Sequence, residues 1–179
     1  HKILDEAVQE LKETTFRDLF EKELKETAKL LAKDCTIETD LEILIPDDYV
    51  QNITERIGLY SQLDNIENEQ KLEVFKKEII DRFGPIPDSV QELIESVRLR
   101  WVAQNLGFEK LILKNDTLKG HFISPEKEEY YKSDVFGKIL TYVQLQPRRC
   151  KMKEYKGKLI LTISEIKNVI EAKEFLDSI

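Results

Sequence analysis

Two stretches in the last third of the chain alternate between apolar and polar residues on either side of a short turn. They limit the fold more than any other feature. Residues 108–123 surround an Asn-Asp dipeptide, and residues 148–164 surround a Lys-Gly dipeptide. Such segments predict two β-hairpins, because alternation turns one apolar face toward a core and these dipeptides accept a tight turn. Helical spacing follows each hairpin, over 133–146 and again after Ser164, which we expect to cap the final helix.

The first half of the chain is mainly helical by the same criterion, with one strand. Alternation over residues 36–45 predicts a strand with an acidic outer face. Asp47 or Asp48 is expected to cap a helix that runs to about residue 64. Two further helices, each ended by a glycine, are predicted over 67–83 and about 88–106.

These elements predict an α+β fold in which a mostly antiparallel sheet of about four to five strands is covered by amphipathic helices. Residues 1–35 have two charged segments with helical spacing, so we expect an N-terminal helical arm there. Residues 36–179 would form the domain itself.

The formal net charge of −7 is unevenly distributed along the chain. Residues 38–95 contain 5 basic and 15 acidic side chains, whereas residues 96–179 contain 16 basic and 11 acidic ones. An acidic segment repels phosphate backbones and attracts basic partners. This distribution argues against a DNA-binding role for the chain as a whole.

Motifs that would indicate a resident cofactor or a catalytic centre are missing from the sequence. It has no glycine-rich signature for a nucleoside triphosphate or a dinucleotide, and no nucleophile-elbow sequence. Its only cysteines, Cys35 and Cys150, and its only histidines, His1 and His121, lack the spacing of zinc ligands. We therefore expect no cofactor and no independent enzymatic activity in this chain.

The cellular location can also be inferred from the sequence. No apolar run approaches the ~20 residues that span a bilayer, and the first residues lack the basic segment and apolar core of a signal peptide. With two isolated cysteines, we expect buried thiols in the reducing cytoplasm. The sequence starts within a helical pattern and without Met, which indicates a fragment of a longer chain.

The segment EIIDRFGPIP, residues 78–87, places Glu78 and Asp81 on neighbouring positions of a helix that ends at a Gly-Pro pair. Three interpretations are open from the residues alone. The acids could form ordinary surface ion pairs, Glu78 with Arg82 and Asp81 with Lys77, each worth about 0.3–0.5 kcal/mol. They could be a catalytic pair, or they could present a negative face to a basic partner.

The segment RRCKMKEYKGK, residues 148–158, contains six basic side chains and one acid. A basic hairpin with Tyr155 could follow a phosphate backbone and stack a base. The alternative is structural, since lysines protect exposed sheet edges from aggregation. In a strand, Lys151 and Lys153 would face outward while the residues between them face inward.

The order of these motifs resembles the C-terminal domain of bacterial transcription-repair coupling factors. The resemblance rests on IPDDYV at 45–50, EIIDRFGPIP at 78–87, RLR at 98–100 and QLQP at 144–147. A basic hairpin and a terminal amphipathic helix follow in the same order, so the resemblance covers about residues 36–179.

The resemblance implies a role for the chain within a larger protein. Members of this family are ATP-driven translocases on double-stranded DNA that displace stalled RNA polymerase and recruit nucleotide excision repair through UvrA. Their ATP and Mg sites lie in motor domains outside this chain. The C-terminal domain is implied to be non-catalytic and regulatory. It docks on the UvrB-like N-terminal module of the same protein, covers its UvrA-binding surface and restrains the motor.

The resemblance also assigns residues. Acids at the positions that match Glu78 and Asp81 make the contact with the basic surface of the UvrB-like module. Residues 1–35 are implied to be a helical arm that leads to the motor domain, although residues 14–35 have no counterpart in the family. Residues 114–131 diverge as well.

Overall fold

The structure, a computed structural model, describes residues 35–179. The predicted helical arm over residues 1–35 lies outside the described residues, except for its last residue. Within residues 35–179, no helix combines the length and the apolar character needed to cross a membrane.

Six helices and five strands follow one another in the described range. The helices are α1 (Ile53–Asp64), α2 (Glu69–Phe83), α3 (Asp88–Leu106), α4 (Glu128–Tyr131), α5 (Asp134–Leu145) and α6 (Val169–Asp177). The strands are β1 (Thr36–Thr39), β2 (Phe108–Lys114), β3 (Thr117–Phe122), β4 (Cys150–Tyr155) and β5 (Lys158–Ser164).

The five strands form one sheet in the order β1-β2-β3-β5-β4. Neighbouring strands are antiparallel, except that β1 runs parallel to β2. Helices α3, α5 and α6 pack on one face of this sheet, through buried residues such as Leu99, Ile139 and Ala172. The predicted α+β fold with a mostly antiparallel, helix-covered sheet is therefore confirmed.

Both predicted hairpin turns are present. Asn115 and Asp116 have φ angles of 52° and 56°, and Lys156 and Gly157 have φ angles of 50° and 75°. Two successive positive φ angles are typical of the two-residue turns whose twist matches that of the flanking strands. These turns fix the register of β2 with β3 and of β4 with β5.

The first strand is shorter than predicted. Alternation predicted a strand over 36–45, but β1 ends at Thr39. The Asp40 carboxylate then accepts a hydrogen bond from the backbone N–H of Asn115, at 3.1 Å. Strand β2 ends at Lys114, the residue before Asn115. The chain beyond Asp40 therefore has no strand beside it to pair with.

The first helix starts later than predicted. Asp47 and Asp48 do not cap it; α1 begins at Ile53, and the Asn52 side chain accepts two backbone N–H groups at 2.9 and 3.1 Å. Residues 46–50 instead form a separate turn. Its position depends on contacts with a distant part of the chain, which are described with the candidate site.

The final helix also starts later than predicted, because Ser164 belongs to β5, where it pairs with Thr117. Glu165 follows with a φ angle of 62°, which turns the chain away from the sheet. Asn168 caps α6 by accepting a hydrogen bond from the N–H of Glu171 at 2.8 Å.

The buried residues form two clusters that share α3. One cluster lies between the sheet and helices α3, α5 and α6, and the other lies among α1, α2 and α3. Helix α3 contributes Leu99 and Ala103 to the first cluster and Val90, Ile94 and Val97 to the second. The two parts of the domain therefore meet along one helix.

Two arginines of the RLR segment hold α1 and α2 against α3. Arg98 pairs with Glu73 of α2 at 2.9 Å and also with Glu69 of the same helix. The hydrogen bond with Glu69 raises the pKa of Arg98 and lowers the pKa of Glu69. Arg100 is only 8% exposed and lies 3.9 Å from the carboxylate of Asp64 at the end of α1.

The two cysteines of the chain are buried in the described structure. Cys35 is 1% exposed and Cys150 is 4% exposed. Burial raises the pKa of the Cys150 thiol, so its reactive thiolate form is disfavoured.

Gly107 joins α3 to the sheet at a point where no side chain fits. Its φ angle is 91°, and a Cβ atom placed there would lie 2.2 Å from the ring of Tyr130. The Tyr130 hydroxyl donates a hydrogen bond to the carbonyl of Leu106, and its ring packs against Phe122 and Phe136. The close approach of α4 to this turn thus requires glycine.

Gly107→Ala should lower the free energy of unfolding by about 2–5 kcal/mol, measured by urea denaturation. About 1–2 kcal/mol would come from the left-handed backbone and about 1–3 kcal/mol from the overlap with Tyr130. Gly157→Ala is the matched control, because it has a positive φ angle of 75° but nothing within 4 Å. Equal losses in the two variants would show that the contact with Tyr130 has no energetic effect.

Candidate protein-docking site

Helix α2 has a buried side and a solvent side that are fixed by its start and its core contacts. The Asn68 side chain caps the helix by accepting a hydrogen bond from the N–H of Lys71 at 2.9 Å. Leu72, Phe75 and Ile79 are buried in the cluster formed by α1, α2 and α3. These contacts set the rotation of the helix, so the residues on the opposite side face solvent.

Glu78 and Asp81, the two predicted contact residues, lie on that solvent side and are both exposed. Their spacing of three residues makes them neighbours on the helix surface. Within residues 35–179, neither carboxylate forms an ion pair with a basic side chain. The arrangement presents two negative charges whose partners are not supplied by the described domain.

The surface ion pairs, which were one of the three interpretations open from the sequence, are not present in the structure. Arg82 pairs instead with Glu55 of α1, at 2.8 Å, and its guanidinium lies 4.7 Å from the centre of the Phe83 ring. Arg82 therefore holds α1 against α2 and does not orient Glu78. Lys77, which could have paired with Asp81, is exposed and likewise forms no ion pair with a described carboxylate.

Val74 lies one turn before Glu78 on the same side of α2 and is 55% exposed. Sequence analysis did not select this residue. The sequence feature that could have identified Val74 is that it is apolar but lies outside the helical spacing of Leu72, Phe75 and Ile79. Those three residues build the core. We call the surface formed by Val74, Glu78 and Asp81 the acidic docking face.

The IPDDYV segment holds the end of α2 in place. The Tyr49 hydroxyl donates a hydrogen bond to the carbonyl of Gly84 at 2.8 Å and lies 3.3 Å from the carbonyl of Ile79. The Tyr49 ring packs against Phe83 with their centres 5.8 Å apart. Burial raises the pKa of Tyr49, so the hydroxyl keeps the proton that it donates.

Two further contacts hold the turn that carries Tyr49. The Arg56 guanidinium donates to the carbonyl of Val50 at 2.6 Å, and the backbone N–H of Ile45 donates to the Tyr60 hydroxyl at 2.7 Å. Both Arg56 and Tyr60 belong to α1. The segments IPDDYV and DRFG, which are distant in sequence, thus form one packed unit, which carries Asp81 of the acidic docking face.

The second candidate surface, the basic hairpin at 148–158, has only part of its charge available. Lys151 and Lys153 are exposed and point away from the core, as predicted. Arg149 instead donates to the carbonyls of Ser164 and Glu165. Lys158 pairs with Glu109 at 2.9 Å. Two of the six basic side chains of this hairpin therefore have structural partners.

Within the described part of the chain, no group of three or more Cys, His, Asp or Glu side chains is arranged to hold a metal ion. Glu78 and Asp81 stand on an open helix surface, whereas a catalytic pair of carboxylates needs a shared, partly desolvated cleft. The geometry suits contact with a protein better than catalysis.

The sequence pattern of the family described as the TRCF domain matches residues 39–133. The chain belongs to the TRCF domain family. The matched range contains the acidic docking face and the packed unit of IPDDYV and DRFG. It ends before the basic hairpin, so the family pattern coincides with the first candidate surface and not with the second.

Curated relatives agree with membership of the TRCF domain family. The transcription-repair-coupling factor of Rickettsia prowazekii (strain Madrid E) is 30% identical over 162 residues, which are 86% of this chain and 14% of that protein. The transcription-repair-coupling factor of Escherichia coli (strain K12) is 37% identical over 82 residues, which are 46% of this chain and 7% of that protein. The chain thus spans a small part of the length of each relative.

The fold is similar to the crystal structure of the C-terminal domain of a transcription-repair coupling factor. The TM-score is 0.63, the sequence identity is 18%, and the match covers 81% of this chain and 92% of the other. The resemblance inferred from the order of the motifs is therefore confirmed for both sequence family and fold.

Tyr49→Phe should lower the free energy of unfolding of this TRCF domain by about 1–2 kcal/mol, because the carbonyl of Gly84 loses its hydrogen-bond donor. Urea denaturation measures the change. Tyr155→Phe is the control, since Tyr155 is 61% exposed and its hydroxyl has no hydrogen-bond partner among the described residues. If both variants were as stable as the wild type, the hydrogen bond would not hold α2 in place.

Proposed function

We propose that the chain is a non-catalytic regulatory domain of a transcription-repair coupling factor. In this role it docks through the acidic docking face on the UvrB-like N-terminal module of the same protein. Docking covers the UvrA-binding surface of that module and restrains the motor. The parent acts in the cytoplasm, its motor domains bind ATP and Mg outside this chain, and RNA polymerase, UvrA and DNA are partners of the whole protein.

One observation carries this proposal: Glu78 and Asp81 are exposed, adjacent and without an ion pair to any described base. Of the two cationic side chains beside them, Arg82 is used by Glu55, and Lys77 forms no ion pair with a described carboxylate. Arginines on a basic partner could bind both carboxylates with paired hydrogen bonds. A negative face left without internal partners is what such a contact requires.

Val74 adds an apolar centre to the same face. Binding energy at protein interfaces is concentrated in a few residues that lose water, surrounded by contacts that exclude solvent. An exposed valine beside two carboxylates gives a partner both an apolar contact and a charged one. The face is small, so the isolated contact is expected to be weak.

A weak contact is sufficient for this function because the two modules belong to one polypeptide. Tethering gives effective concentrations in the millimolar range for short flexible linkers. A modest intrinsic affinity is therefore enough to keep the two modules mostly associated. The same weakness lets the contact release when the parent engages its target. Regulation of this kind therefore favours a small charged face over a large apolar one.

The position of Asp81 within α2 is also unfavourable for the helix itself. It lies in the last turn, where the helix dipole disfavours negative charge, whereas Glu78 lies before that turn. A carboxylate at such a position suits a binding role, since functional sites often reduce stability.

The proposal predicts that the chain binds the separately expressed UvrB-like module and that Glu78→Ala/Asp81→Ala weakens binding at least about tenfold, or ~1.4 kcal/mol. Isothermal titration at low and moderate salt measures the affinity. Glu126→Ala/Glu129→Ala is the matched control, because it removes two exposed acids with the same spacing from a different part of the chain, at the start of α4. Circular dichroism checks that all variants are folded.

Equal binding by the wild type and the Glu78/Asp81 variant would place the docking surface elsewhere. Equal weakening by both double variants would show that net charge, and not the acidic docking face, controls binding. Absence of binding by the wild type when the two modules are joined by a flexible linker would contradict the regulatory role.

Removal of the charges should not destabilise the isolated domain. Glu78→Gln/Asp81→Asn is expected to leave the free energy of unfolding unchanged or to raise it by about 0.3–1 kcal/mol, because the unfavourable interaction with the helix dipole is relieved. Urea denaturation measures the change. A loss above about 1 kcal/mol would mean that the acids stabilise the fold, which contradicts a role limited to docking.

A further inference from the structure

The face of the sheet that is not covered by helices α3, α5 and α6 is rich in lysine. Alternation along each strand turns residues such as Leu111, Leu118 and Leu161 toward the core and turns their neighbours to the other side. Six lysines project from that second side, on four of the five strands: Lys110, Lys114, Lys119, Lys151, Lys153 and Lys158. We call this surface the open sheet face.

Acidic side chains offset only part of this charge. Glu38 pairs with Lys110 at 3.0 Å and Glu109 pairs with Lys158 at 2.9 Å. The remaining lysines of the face, Lys114, Lys119, Lys151 and Lys153, are exposed and form no ion pair with a described carboxylate. A chain with a net charge of −7 thus keeps four unpaired cations on one side of its sheet.

Protection of a sheet edge does not account for the pattern. Edge strands often carry lysine, and this explains Lys151 and Lys153, because β4 is the last strand of the sheet. Lys119, however, lies on β3, which is paired on both sides, and Lys114 lies on β2, which is also an inner strand. Inner strands need no such protection; a solvated sheet face needs polar residues there, but not the same charge on successive strands.

The lysines are spaced in a way that suits a row of phosphates. Lys119 pairs in register with Thr162, and Thr162 pairs with Lys151, so the two lysines lie two strands apart, or about 10 Å. Lys151 and Lys153 are two residues apart on one strand, or about 7 Å. Cations at such intervals can each contact a different phosphate of one flexible backbone.

An exposed aromatic side chain lies at one end of the same face. Tyr155 is 61% exposed and pairs in register with Lys158, and the Lys156 ammonium lies 5.3 Å from the centre of its ring. Exposed aromatics beside cations are the elements with which proteins stack unpaired bases while binding the backbone.

His121 lies within this lysine cluster. It pairs in register with Lys110 of β2 on one side and with Ile160 of β5 on the other. Its Nε2 atom is buried without a hydrogen-bond partner in the described structure. Burial lowers the pKa of His121; Lys110, Lys158 and Lys119 lower it further, while Glu109 opposes them. The imidazole therefore senses the positive field of the face and can report on its neutralisation.

From these observations we propose that the open sheet face binds the phosphate backbone of nucleic acid, with a preference for single strands that can stack on Tyr155. An acidic protein is the less suitable partner, because protein interfaces are depleted in lysine and depend on aromatic, methionine or arginine anchors. Flat arrays of lysine instead bind phosphates as point charges, without sequence preference. This function is separate from the acidic docking face and does not depend on it.

The test measures binding of the full chain to a labelled single strand of about 20 nucleotides and to the matching duplex, by fluorescence anisotropy over a range of salt. Lys119→Gln/Lys151→Gln/Lys153→Gln should weaken single-strand binding at least about tenfold at low salt and reduce the salt slope by about 2, at roughly 0.7 per lysine. Lys127→Gln/Lys138→Gln/Lys167→Gln removes the same charge from exposed positions on the helical side and should change neither value.

Two further readouts identify the mode of binding. Tyr155→Leu should weaken the single strand several-fold while leaving the duplex unchanged, because only unpaired bases can stack. The pKa of His121, followed by NMR, should rise when the oligonucleotide neutralises the lysines around it.

Several results would overturn the proposal. These are no oligonucleotide binding at low salt, equal weakening by the two triple variants, or no movement of the His121 pKa on binding. Tighter binding of poly-glutamate than of the oligonucleotide would identify the partner as an acidic protein instead.

Discussion

Helix α3 must satisfy two different hydrophobic surroundings at once, and the rest of the domain is arranged by that constraint. Its first half is buried among α1 and α2, and its second half is buried against the sheet. Arg98 and Arg100 then fix the two smaller helices by ion pairs, and Glu92 accepts a hydrogen bond from the first N–H of α6 at 3.0 Å. The orientation of α2, and with it the acidic docking face, follows from these contacts.

The elements that were predicted well are the ones whose signals are local. The two hairpins depend on alternation and on two turn residues each, and α2 and α3 end at glycines with positive φ angles. Gly84 and Gly107 could be identified from sequence because a continuing helix is disfavoured at such residues. The boundaries that were wrong depend on partners that are far away along the chain. Alternation reaches Ile45, but β1 stops where β2 no longer lies beside it.

The same distinction applies to the candidate site. Glu78 and Asp81 could be selected from the family motif, and helical spacing placed them on one face. The ion-pair partner of their neighbour Arg82 could not be predicted from the sequence. Arg82 pairs with Glu55, which is 27 residues away along the chain, and not with Glu78. Tyr49 was part of the resemblance, but its hydrogen bond to Gly84 spans 35 residues and is visible only in the folded chain.

The burial of both cysteines makes the folded domain nearly unreactive toward thiol reagents. Maleimide dyes react with exposed thiolates, and neither Cys35 nor Cys150 offers one. A single cysteine introduced on an exposed turn would therefore be the preferred point of attachment while the wild-type thiols are retained. The domain is thus suited to fluorescence measurements in which one introduced label reports on binding to this chain.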